Sequence, residues 1–233
     1  MILRQLLHKE SSTYTYVIAD SNTREACIID PVKDNIKQYL QLFQELGIHL
    51  QYALDTHIHA DHITALGALE AMTKCKTMMG SEGDVPCASE GFQDGKQLSI
   101  GSITLHALFT PGHTADSYCF FLKQKNHSYL FSGDTLLIRG TGRTDFQNGD
   151  PAALYNSIHN KIMALPSETI LLPGHDYKGW TSSTLIEEKK YNPRLQFNKS
   201  AFINHMNNLN LPDPKMMAIA VPANLACGKQ KES

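Results

Sequence analysis

Thr56-His57-Ile58-His59-Ala60-Asp61-His62 sets three histidines and an aspartate, all metal-type side chains, within one short stretch. The preceding Gln51-Tyr52-Ala53-Leu54-Asp55-Thr56 reads as a strand, and Ile63 to Cys75 resumes helical spacing with Leu66, Leu69 and Met72 on one face. The cluster is therefore expected on a strand-to-helix loop, where a rigid scaffold commonly presents reactive groups. His57 and His59 should project to one side of an extended segment, with Asp61 and His62 turning away at the helix start. A helix N-terminus decorated with polar residues would account for Asp61 alone and leave the three histidines unexplained.

The same construction recurs downstream. Ile103 to Phe109 is strand-like and runs into Thr110-Pro111-Gly112 ahead of His113. Ser128 to Ser132 runs into Gly133 and Asp134, and Glu168 to Leu172 into Pro173-Gly174-His175. Each time a strand ends in a tight turn that presents a His or an Asp, the pattern of a metal centre built from loops. Upstream, Thr13–Ile18 and Glu25–Asp30 read as a hairpin. Ile36, Leu40, Phe43 and Leu46 make an amphipathic helix that Gly47 can end. Further helices are expected around 152–165 and 182–190.

Composition narrows the class. The chain has 233 residues, is 42% hydrophobic and 19% charged, and carries a net charge of −2, which suits an ordinary soluble globular protein with ample core and argues against nucleic acid as a partner. No apolar run approaches a membrane span. The opening Met1 to Leu7 is too soon polar for a secretory signal, so bacterial cytoplasm is expected, or the mitochondrial matrix after processing. Five cysteines without a C-x-x-C pair predict no disulfide framework, a reducing compartment and mostly buried thiols. His8, His49, His106, His127, His159 and His205 lack motif context. One domain spanning 1–233 is expected.

The ordered set T-H-I-H-A-D-H at 56–62, P-G-H-T at 111–114, S-G-D-T at 132–135 and P-G-H-D at 173–176 resembles the metallo-β-lactamase superfamily. That resemblance implies an α/β fold, an αββα sandwich with the metal site at the edge of two packed mixed sheets. Hydrolases, nucleases and redox enzymes share it, so the reaction needs further evidence. Arg139 to Gln147, His175 to Gly179, Asn192 to Leu195, Asn208 to Pro212 and Val221 to Gly228 resemble the persulfide dioxygenases, covering nearly the whole chain. One departure is Thr141, where animal members tend to have Cys.

The dioxygenase resemblance implies one Fe(II) per chain held by His57, His113 and Asp134, with glutathione persulfide and O2 as substrates and sulfite and glutathione as products. A 2-His-1-carboxylate face leaves iron positions open for substrate and O2 together. His59, Asp61, His62 and His175 would then be an outer shell, or the ligands of a second metal in a binuclear enzyme. Arg143 is a candidate anchor for a glutathione carboxylate, against a structural salt bridge to Asp145 or Asp150. Tyr177 would line the same cleft or pack. Asp176 would orient a metal-side histidine or a loop backbone, and Cys227 would be a buried inert thiol. A homodimer is implied, as is metabolic coupling to a separate sulfurtransferase or sulfide:quinone oxidoreductase. The alternative is a hydroxyacylglutathione hydrolase of the glyoxalase II type with two Zn(II). Such enzymes usually continue into a longer helical domain, whereas the tail here resembles the dioxygenases. A β-lactamase proper is disfavoured by the absence of secretory features, and a non-catalytic scaffold by retention of all seven metal-type residues.

Overall fold

The computed structural model describes residues 1–229, which form two compact units. The first comprises Met1–Phe92, Leu98–Thr104 and the chain from Asp213; the second comprises Gln93–Gln97 and Leu105–Pro212.

The first unit is organised by a six-stranded sheet in chain order: β1 (Ile2–His8), β2 (Thr13–Ala19), β3 (Glu25–Ile29), β4 (His49–Leu54), β5 (Lys76–Gly80) and β6 (Glu90–Phe92). β1, β2 and β3 pair antiparallel, and β3 to β6 are parallel. β2 is buried at every position, as a strand covered on both faces should be. The hairpin β2–β3 follows the sequence reading, while β1 was not anticipated.

Helix α1 (Ile36–Leu46) ends at Gly47, whose φ of 61° is the left-handed stop expected of that glycine. Its deepest residues are Tyr39 and Phe43, each contributing roughly 1.5–3 kcal/mol by burial. Tyr39 also sets geometry. Its hydroxyl accepts from the Val32 amide at 3.0 Å and lies 2.9 Å from Thr15 Oγ1, which donates to the Asp30 carbonyl at 2.7 Å. Asp30, at the end of β3, is thereby fixed from behind.

Helix α2 spans Leu66–Thr73, so the residues from Ile63 to Ala65 that were expected to be helical are not. Leu66 and Leu69 are buried but Met72 is 60% exposed. Two steps of three residues rotate a side chain about 120° around a helix of 3.6 residues per turn, which carries Met72 off the buried face. Helix α6 (Met217–Asn224) and the turn after it complete this unit, whose core joins Val17, Ile28, Tyr39, Leu66, Leu69 and Cys227.

The cysteine expectation needs correction. Cys87 and Cys227 form a disulfide, with Cα atoms 5.8 Å apart. Their 140-residue separation hid the pairing from a reading based on local spacing. Cys27, Cys75 and Cys119 are free and buried as expected, and burial pushes the Cys27 and Cys75 thiols up.

The second sheet has the order β12-β11-β10-β9-β8-β7. Its strands are β7 (Gln97–Ile100), β8 (Ile103–Phe109), β9 (Tyr118–Lys123), β10 (Ser128–Phe131), β11 (Ile170–Leu172) and β12 (Ser183–Thr184). β10 and β11 are parallel, and β8–β9, β9–β10 and β11–β12 are antiparallel, so both sheets are mixed. The helix expected over 152–165 is α3 (Pro151–Asn156), continued by a π turn and a 3-10 turn to Ala164. α3 starts on Asp150, whose side chain accepts from the amides of Ala152 and Ala153. α4 (Leu185–Tyr191) and α5 (Lys199–Asn207) follow, and Leu154, Ile158, Leu171 and Phe202 form the core of this unit. No helix is long and apolar enough to cross a membrane among the described residues.

Candidate metal centre

β4 ends at Leu54, and the residues after it hold three imidazole rings in a row. His57 and His59 have centroids 4.2 Å apart, and His59 and His62 4.3 Å. His62 thus lies against His59 with Asp61 beside it, whereas the pair was expected to turn away, and three residues separate it from α2. All three histidines are buried, and Asp61 is partly exposed.

Asp30 organises this loop, and the sequence reading missed it. Its Oδ1 accepts from the Thr56 amide at 2.7 Å and faces His59 Nε2 at 3.2 Å, while Oδ2 accepts from the Thr56 hydroxyl at 3.0 Å. The Thr56 proton is thereby committed, so at the 2.9 Å contact between Thr56 Oγ1 and His57 Nδ1 the ring nitrogen is the donor. His57 Nε2 then carries the ring's lone pair. The signal for Asp30 was present: Ile28-Ile29-Asp30-Pro31 is another strand that runs into a turn at an acid.

Burial opposes a charge on the His59 ring, but the Asp30 carboxylate, with Asp55 and Asp61 adding, outweighs it and raises the ring to about 9. His59 Nδ1 is buried with no hydrogen-bond partner, and it lies in a His59, Asp61 and His62 group whose donor atoms fall within 4.8 Å of one another. Asp61 Oδ2 also accepts from Thr13 Oγ1 and faces His62 Nδ1, both at 3.0 Å.

The second unit gathers His113, Asp134 and His175 from three strand ends. His113 Nδ1 lies 2.7 Å from the Arg143 carbonyl, which can only accept, so His113 Nε2 carries the lone pair. His175 Nδ1 donates to Asp134 Oδ1 at 2.6 Å, and Asp134 Oδ2 is 3.7 Å from His113 Nε2. One ion with bonds of about 2.1 Å can reach both of those atoms. The donor chemistry therefore fits a metal: neutral rings oriented by a second partner and a carboxylate with one oxygen turned toward them. Gly142 belongs to this construction. A Cβ there would sit 2.2 Å from the Asp134 carbonyl and 2.8 Å from His113 Nδ1.

A cavity of about 460 Å³ opens over His113, Asp134 and His175, within the range of small-molecule sites. Arg139, Arg143, Tyr177 and Arg194 line it. Tyr177 lies parallel to the His175 ring at 6.1 Å and is 74% exposed, so it stands at the mouth. Arg143 pairs with Asp145 through two bonds of 2.6 and 2.7 Å, bonds the Pro212 carbonyl at 2.7 Å and lies over Phe146. Asp176 accepts from the amides of Lys178 and Trp180, the loop-backbone role of the two expected for it. The Thr141 hydroxyl accepts from Arg194 at 2.8 Å.

Residues 8–175 match the metallo-β-lactamase superfamily. The chain is 43% identical to human persulfide dioxygenase ETHE1, mitochondrial, over 99% of its own length and 90% of that protein's. It superposes on the crystal structure of ETHE1 from Myxococcus xanthus with a TM-score of 0.94 and 47% identity, covering 98% of this chain and 100% of that one. A probable hydroxyacylglutathione hydrolase from Schizosaccharomyces pombe is 35% identical, over 84% of this chain and 73% of that one. With its two mixed sheets and helices, the chain belongs to the metallo-β-lactamase superfamily and, within it, to the persulfide dioxygenase family.

Proposed function

We propose that this protein is a single-iron persulfide dioxygenase that converts glutathione persulfide, O2 and water to glutathione, sulfite and two protons. The proposed ligands are His57, His113 and Asp134, with one Fe(II) per chain. Two neutral imidazoles and one carboxylate suit Fe(II) and leave about three coordination positions. Held by these residues, iron would supply the electrons that activate O2 and a place for the persulfide sulfur beside it. The chain's own part is to hold these ligands in one protonation state. The Arg143 carbonyl fixes the His113 tautomer, the Thr56 hydroxyl fixes that of His57, and His175 occupies one oxygen of Asp134.

The observation that favours the dioxygenase over a binuclear hydrolase is the 43% identity, over 99% of this chain, to a persulfide dioxygenase. The 2.6 Å bond from His175 to Asp134 Oδ1 is in keeping with it, since it leaves Oδ2 for the metal. His59, Asp61, His62 and His175 are accordingly assigned to orientation and hydrogen bonding. The cavity over His113 is proposed to take the glutathione moiety. Tyr177 would stand at its mouth and Arg143 would reach a carboxylate in competition with Asp145. A homodimer, persulfide supplied by a separate sulfurtransferase or sulfide:quinone oxidoreductase, and a cytoplasmic setting belong to the same proposal.

Metal stoichiometry tests it. Anaerobic reconstitution should give one tightly held iron per chain. Two zincs per chain and turnover of a glutathione thioester would move the assignment to the binuclear hydrolase.

A further inference from the structure

Asn224, the last residue of α6, is fully buried and spends its whole amide on the histidine loop. Its Nδ2 donates to the His59 and His62 carbonyls, both at 2.8 Å, and its Oδ1 accepts from the Thr64 amide at 2.9 Å. One side chain from the end of the described chain thus binds the backbone at three points along the segment that follows His57.

The turn after α6 is fastened to the same region. The Gly67 amide donates to the Cys227 carbonyl at 2.9 Å, and Lys33 Nζ donates to the Gly228 carbonyl at 2.7 Å. Gly228 lies so close that a Cβ on it would be 2.1 Å from the Thr64 carbonyl. Cys227, three residues beyond Asn224, is bound to Cys87 in the segment before β6.

We infer that the segment 217–229 is a clamp on the metal-bearing loop, with Asn224 as the positioning residue and the Cys87–Cys227 disulfide as its latch. The inference rests on the proposal that His57 is a metal ligand. Holding the carbonyls of His59 and His62 fixes the path of the loop and hence the direction of the His57 ring, the part that groups behind metal ligands commonly play. A dithiol opens the latch. The Cys87–Cys227 bond breaks, a disulfide forms within the reductant, two electrons pass to the protein, and the two protons end on Cys87 and Cys227. The clamp then keeps Asn224 by hydrogen bonds alone, so the metal is held less tightly in the reduced protein.

The test is the rate at which full-length Fe(II)-loaded protein loses iron to an excess of ferrous chelator under anaerobic conditions. Asn224→Asp is the sharpest variant, because it keeps size and the Thr64 contact but has no proton for the two carbonyls. Release should be about 10-fold faster or more in Asn224→Asp and Asn224→Ala. It should also accelerate several-fold in the wild type after treatment with a dithiol and removal of the reagent. Cys87→Ser should release iron at the rate of the reduced wild type, with no further response to dithiol. Turnover should show a lower kcat with KM little changed. Wild-type release rates in both Asn224 variants, or release indifferent to reduction, would overturn the inference. Should Asn224→Ala not fold, Asn224→Asp and the reduction of the wild type carry the test. The same series with Zn(II) separates failure of the clamp from failure of the iron assignment, since the clamp acts on the loop whichever metal it holds.

Discussion

His175 donates its Nδ1 proton to Asp134 Oδ1 across 2.6 Å, joining the ends of two adjacent parallel strands, β11 and β10. On the single-iron reading this bond orients the carboxylate and does not supply a ligand. His175→Ala should therefore weaken metal binding by about 10- to 100-fold and still leave one site per chain. His113→Ala should abolish tight iron binding. Anaerobic iron titration of the two variants checks both, and equal loss in the two would count against the distinction.

Glu188 is fully buried and holds Arg139 through both its backbone amide, at 2.8 Å, and its guanidinium; Ser183 and Asn192 bind the same carboxylate at 2.6 and 3.0 Å. Arg139→Met would leave that carboxylate without its cation. Denaturant unfolding should show a loss of about 3–5 kcal/mol, the usual cost of removing one partner of a buried pair. A loss below about 1 kcal/mol would mean that Ser183 and Asn192 suffice.

Asp145 is held below the usual carboxylate range, first by its bonds to Arg143, with burial opposing. A depressed folded-state value means that the carboxylate stabilises above its unfolded value of about 4, and that this stability is lost as pH falls through the lower folded value. Asp145→Asn should thus melt lower than wild type at pH 6, and the gap should close as pH drops below about 4. A gap that is constant with pH would assign the effect to packing.

Cys87 and Cys227, both in the first unit, close a 140-residue loop that contains all of the second. Cys87→Ser should cost about 2–5 kcal/mol of stability, seen as a lower melting point that reductant no longer changes. Unchanged melting in the variant would show that the bond constrains little in the unfolded chain.

The sequence made the strand-end motifs legible because each is local: an apolar run, a break in it (a glycine turn in all but the first), then a ligand-type residue. His57, His113, Asp134 and His175 could be read that way, as could α1 with Gly47. What escaped was non-local. Asp30 acts on a loop 26 residues on, Asn224 on carbonyls more than 160 residues back, and Cys87 pairs across 140 residues. Arg143 was legible as either a carboxylate anchor or the partner of Asp145 or Asp150, and the bond it makes to Asp145 could not be chosen in advance, since a charge two residues away is compatible with many loop conformations. The position of Met72 was misjudged because a run of three-residue steps looks like one helical face and drifts off it.

The proposed reaction is open to a single assay. Oxygen uptake is followed on adding glutathione persulfide to anaerobically iron-loaded protein, with sulfite assayed in the same sample. Uptake should depend on the protein, match sulfite one for one and be absent in His113→Ala. Folded, iron-loaded protein that consumes no oxygen with this substrate would contradict it.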